Sequence, residues 1–181
     1  MAVLEAKDIK HGPIELLVTA DEETGMIGAF GLKQGTIKGD ILLNLDSESE
    51  GDLFIGCAGG VDITASMQYK EVEPLDDDIA VEIILKGLRG GHSGMEINSG
   101  RANANKLMVR FVREAVASLE ARLSSWQGGN MRNAIPREAH VLLTIPKENL
   151  EEIQGLADYC EKLFNEEFGA IETPITLQVE K

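Results

Sequence analysis

From residue 79 onward, apolar and polar positions alternate with clear periods. "IAVEIILKGL", 79–88, alternates with a period of two and predicts a half-buried strand. Residues 102–120 carry Met108, Phe111, Val112, Ala115 and Leu119 at i, i+3, i+4, i+7 and i+11, the stripe of an amphipathic helix. Two β-type segments follow, at about 121–127 and 138–145. Asn149 and Glu152 then have the spacing of a capping box for a second helix. Its stripe is Ile153, Leu156, Ala157, Cys160 and Phe164, and Gly169 is a natural stop. "PITLQVE", 174–180, closes the region with a strand. The order β-α-β-β-α-β predicts a ferredoxin-like domain.

Before residue 79 the apolar residues come in runs. "IELLVTA", 14–20, and "DILLNLD", 40–46, predict buried strands, with further β-type runs near 53–57 and 61–69. Between the first two, "TGMIGAFGLKQG" is punctuated by glycine and predicts a short helix ending near Gly35. Strand, helix, strand is the rhythm of a βαβ unit, so the expected fold class is α/β, with a partial parallel-type sheet followed by the ferredoxin-like domain. The acidic, proline-bearing stretch "EVEPLDDD", 71–78, marks the expected boundary, giving domains 1–74 and 75–181.

In parallel sheets, ligands bind beyond the carboxyl ends of the strands. The acids Asp21, Glu22 and Glu23 end the first run, and Asp46 ends the second. Like charges packed together repel, so either these acids face water or a cation sits among them. A divalent ion would take carboxylate oxygens as ligands, and one of two adjacent glutamates would remain as general base on a metal-bound water. "DSESEGD", 46–52, imitates a calcium loop. It departs from that pattern at Glu48 and Glu50, and its twelfth position is Cys57 rather than glutamate, so that reading fails.

Composition narrows the partners. The 181-residue chain has a formal net charge of −14, which argues against nucleic acid or an anionic membrane as partner. No apolar run approaches a membrane span, and no signal-peptide pattern opens the chain. Cys57 and Cys160 lie far apart without metal or redox spacing, which favours two reduced thiols in the cytoplasm. His92 sits in the glycine-rich "GLRGGHSGMEIN", and Asn133 in the glycine-rich "GGNMRNAIPREA". Read locally, both are turn residues, although glycine lets a ligand approach the backbone closely. His11 and His140 show no partner pattern.

Together, "LVTADEETGMIGAFGL", "ILLNLDSESEGDLFIGCAGGVD", "LKGLRGGHSGMEIN" and "GGNMRNAIPREA" resemble the M20 metallopeptidases, over about residues 10–170. Within that family they are similar to the bacterial aminoacyl-histidine (Xaa-His) dipeptidases. The resemblance implies a zinc-dependent catalytic α/β domain with two metal ions and a lid domain inserted into it. Glu22 then matches the general base, Glu23 and Asp46 match metal ligands, and His92 and Asn133 match substrate-binding residues of the lid. The implied reaction is hydrolysis of the peptide bond of an Xaa-His dipeptide by a metal-activated water, in the cytoplasm.

The departures are specific. No H-x-D motif occurs, because His11, His92 and His140 are followed by Gly-Pro, Ser-Gly and Val-Leu. The family's C-terminal metal histidine and the D-x-R pattern after the "NAIP" strand are also missing. The ligand set for zinc is therefore incomplete, and the expectation is a central portion of a longer enzyme, inactive by itself. Expected partners are a dipeptide, the rest of the parent enzyme and a second copy bound through the lid. The competing expectation is a non-catalytic ferredoxin-like interaction or dimerisation domain.

Overall fold

The computed structural model describes residues 2–23, 25–46, 49–57 and 59–181. Glu48, one of the residues that break the calcium-loop pattern, lies outside them. The chain divides into two compact units, Met1–Ser66 and Met67–Lys181.

The second unit holds the packed core. Its main sheet contains β1 (Asp78–Lys86), β3 (Arg122–Gly128), β5 (Ala139–Pro146) and β6 (Thr176–Glu180). A two-stranded ladder pairs β2 (Gly91–His92) with β4 (Ala134–Ile135). The main sheet runs β3-β5-β1-β6, and every pair in it is antiparallel. With α3 (Ala104–Ser118) and α4 (Leu150–Phe168), this is the ferredoxin-like arrangement that the periodicity predicts.

Alternation decides which face of the sheet is covered. Val81, Ile83 and Leu85 of β1 are buried, as are Ala139, Val141, Leu143 and Ile145 of β5. Met108, Phe111, Val112 and Ala115 of α3 join them, with Ile153, Ala157, Cys160 and Phe164 of α4. Leu119 and Leu156, at the margins of their stripes, are partly buried. A register shift between Leu123 and Ser125 marks a bulge in β3, an edge strand.

The capping box at Asn149 does not form. Asn149 stands at the N-cap of α4, but its side chain makes no cap bond there. Instead its amide donates to the carbonyl of Leu119 at 3.0 Å, satisfying an acceptor just past the end of α3.

The first unit departs from expectation. Between Ala2 and Asp77 the described residues contain two four-residue helices, α1 (Ala2–Glu5) and α2 (Ile27–Phe30), and no strand. Helix α2 falls inside the expected helical stretch. Among the described residues, the parallel-type sheet expected from 14–20, 40–46, 53–57 and 61–69 does not form. Val18, Ile41, Leu45, Leu53 and Ile55 are all more than 80 % exposed. A parallel strand needs backbone partners beside it and apolar cover on both faces. Runs that read as buried strands find neither here.

Candidate functional site

The carboxylates nominated as general base and metal ligands lie in the first unit. Glu22 and Glu23 are exposed in a turn where the Glu22 carbonyl accepts from the N–H of Gly25 at 3.3 Å and of Met26 at 3.1 Å. Asp21 and Met26 flank it in left-handed backbone conformations, with φ of 57° and 56°. Asp46 is exposed, and its N–H donates to the Asn44 side chain at 3.2 Å. Among the described residues, no three His, Cys, Asp or Glu side chains gather so as to hold a metal ion. Zinc takes about four ligands, so the residues present do not by themselves build the zinc centre that the motifs imply. The expected convergence of Glu22, Glu23 and Asp46 rested on a sheet that the described residues do not form.

The second unit contains a cleft of about 650 Å³ where His92 and Asn133 meet. Two glycine-rich turns frame it: the one entering β2 and the one leaving β3, which runs on into β4. His92 pairs with Ala134 across the small ladder, and the N–H of Ser93 donates to the Asn133 carbonyl at 2.8 Å. Two residues some forty positions apart are thus held side by side by backbone hydrogen bonds. Arg89, Arg137, His140 and Gln127 line the same cleft, with Glu138 as its one acid. In a chain with a net charge of −14, this is a locally basic surface.

Packing behind the cleft fixes its walls. The Asn105 amide donates to the Gly128 carbonyl at 3.1 Å, while its carbonyl accepts from the Trp126 indole N–H at 2.9 Å. A Cβ at Gly128 would run into the Asn105 side chain, so a larger residue there would displace Asn105 from these bonds. Glu172, buried at 6 % exposure, accepts from the N–H of Arg89 at 2.7 Å and of Ala102 at 2.8 Å. His140 faces Glu82 on the neighbouring strand, with Nδ1 3.2 Å from the carboxylate. Sequence reasoning assigned no role to His140, Arg89 or Arg137. Their side chains reach the cleft from a strand and from the turns beside it, and local spacing does not reveal that proximity.

The two cysteines stand apart from this site. Cys57 is exposed and Cys160 is buried, and burial pushes the Cys160 thiol up while Arg110 partly opposes the shift. No helix among the described residues is long and apolar enough to cross a membrane.

Comparison with known proteins places this cleft in a family. Residues 83–172 match the M20 peptidase dimerisation domain. The cytosol non-specific dipeptidase of Escherichia coli is 41 % identical over 178 residues, which are 98 % of this chain and 36 % of the relative. The crystal structure of an aminoacylhistidine dipeptidase from Vibrio alginolyticus superposes with a TM-score of 0.69 at 50 % identity, covering 99 % of this chain and 36 % of that one. A Bacillus subtilis protein of uncharacterised function, YqjE, is 27 % identical over 148 residues, 77 % of this chain and 34 % of its own length. The chain thus spans about a third of the relatives it matches.

Proposed function

The chain belongs to the M20 peptidase family, and from that premise we infer that its second unit supplies the substrate-holding lid of a dipeptidase. The observation that carries this reading is that the His92–Ala134 pair and the Ser93–Asn133 backbone bond set His92 and Asn133 side by side on one basic cleft. A histidine ring N–H and an asparagine amide are donors suited to a peptide carbonyl, whose oxygen gains negative charge as a tetrahedral intermediate forms. Arg89 and Arg137 suit the terminal carboxylate of a dipeptide, because guanidinium pairs with carboxylate through parallel hydrogen bonds. The substrate class we assign is Xaa-His dipeptides, in the cytoplasm. The name of the E. coli relative, a cytosol non-specific dipeptidase, supports dipeptides and the cytoplasm, while the C-terminal histidine is supported by the motifs and by the name of the Vibrio relative.

For the complete peptidase we propose zinc dependence with two ions, Glu22 as general base, and Glu23 and Asp46 among the metal ligands. His92 and Asn133 hold substrate. The described residues gather no metal centre, and we propose that the chain by itself hydrolyses nothing. The test is calorimetry with zinc on the purified chain and on a Glu23→Ala/Asp46→Ala variant, beside an Xaa-His turnover assay. We expect weak or absent zinc binding and no turnover. Clear turnover by the pure chain would overturn this account.

A second reading concerns assembly. The outer side of α3 and the adjoining edge strand β3 leave an apolar groove formed by Val109, Val112, Val116 and Trp126. Leu123 of β3 is 53 % exposed beside it. An unpaired edge next to an apolar groove is suited to a second copy of the same domain, so we propose a homodimer formed through this face.

A further inference from the structure

The loop carrying His92 is held by groups that no motif singled out. His92 ends the short strand β2, and its Nδ1 accepts from the backbone N–H of Gly94 at 3.1 Å and of Met95 at 3.2 Å. The Glu96 N–H donates to the His92 carbonyl at 3.1 Å. In return, Glu96 Oε2 accepts from the His92 N–H at 2.7 Å. The imidazole therefore acts as a cap over the turn, and the glutamate reaches back to the capping residue, as in a reciprocal capping box. Arg101 completes the arrangement. One guanidinium nitrogen pairs with Glu96 Oε1, and the other donates to the Gly90 carbonyl at 2.5 Å, two residues before His92. The bracket leaves no room at Gly91: with φ of +149°, an added Cβ there would sit 2.5 Å from Arg101 Nη1 and 2.6 Å from Glu96 Oε2.

This geometry fixes a chemical property of the ring. A backbone N–H can only donate, so Nδ1 must present a lone pair to Gly94 and Met95. In the neutral imidazole the proton then resides on Nε2. The ring lines the cleft. We infer that Glu96 and Arg101 are positioning residues that hold His92 in the Nε2–H tautomer, presenting a ring donor to a ligand oxygen in the cleft. The inference deepens the lid reading, because a carbonyl-holding histidine must present a donor rather than a lone pair. Glu96 and Arg101 act through the loop and touch no reacting atom.

The test is long-range proton–nitrogen NMR of the imidazoles in the ¹⁵N-labelled chain, without substrate. His11 and His140 serve as internal references. For His92 we expect about a tenfold excess of the Nε2–H form, the scale of two modest hydrogen bonds to one acceptor. Glu96→Ala should reduce that excess severalfold while the Phe111 and Phe164 core signals stay in place. Glu96→Gln, which keeps one acceptor, should lie between. Gly94→Ala reaches the ring by another route, because its Cβ would stand 3.2 Å from His92 Cε1. It should disturb the tautomer with the Glu96–Arg101 pair intact, and it decides the matter if Glu96→Ala fails to fold. An Nδ1–H majority in the unaltered chain, or an unchanged ratio in a folded Glu96→Ala or Gly94→Ala variant, would overturn the inference. Because no substrate is present, such a failure is separable from that of the lid reading, which is judged by ligand binding.

Discussion

At the scale of single residues, Glu172 links the cleft to the core. Its carboxylate satisfies two backbone donors on separate segments, at Arg89 and Ala102. Removing it strands both N–H groups, that of Ala102 in a buried position and that of Arg89 in a part-buried one. Glu172→Ala should therefore cost about 2–4 kcal/mol in denaturant-monitored stability, and Glu172→Gln less, since the amide carbonyl keeps one bond. An alanine variant as stable as the parent would show that the carboxylate is not needed there. Nothing near Glu172 in the chain marks it, because its partners lie 83 and 70 positions away. His92 and Asn133 were legible for a different reason: each sits among glycines, and glycine-rich turns advertise close approach. Glu96 stayed hidden, since its work is done by reaching back four residues to a backbone N–H.

At the scale of elements, α3 and α4 cover one face of the sheet, and their stripes were readable because period 3.6 differs sharply from period two. The strands of the second unit were readable for the same reason, each having one face on the core. In the first unit the runs at 14–20 and 40–46 have the composition of buried strands, yet burial depends on partners that composition cannot supply. The outer side of α3 invites a direct test. Val116 is 49 % exposed beside Trp126, in the groove we assign to a second copy. Val116→Asp would place a charge in that contact, and the desolvation cost predicts a shift from dimer to monomer in sedimentation equilibrium. A chain that is monomeric before the substitution would remove the basis for this interface.

At the scale of the whole molecule, the two units differ in kind. Every buried side chain among the described residues falls between Val81 and Leu177. Residues 67–181 should therefore fold alone, with an unfolding transition within a few degrees of that of the full chain. A large loss of stability on removing residues 1–66 would mean that the first unit contributes to the core. The carboxylates of the motifs thus belong to the unit with little burial, while the basic cleft belongs to the unit that carries the core.

The proposed binding of a dipeptide in the cleft between His92 and Asn133 can be tested by an amide-resolved NMR titration of the chain with an Xaa-His dipeptide. A dipeptide held there should give weak, saturable shifts at Gly90–His92 and at Gly128–Arg137, lost in His92→Ala. Shifts scattered over the surface, or unchanged by that substitution, would contradict it.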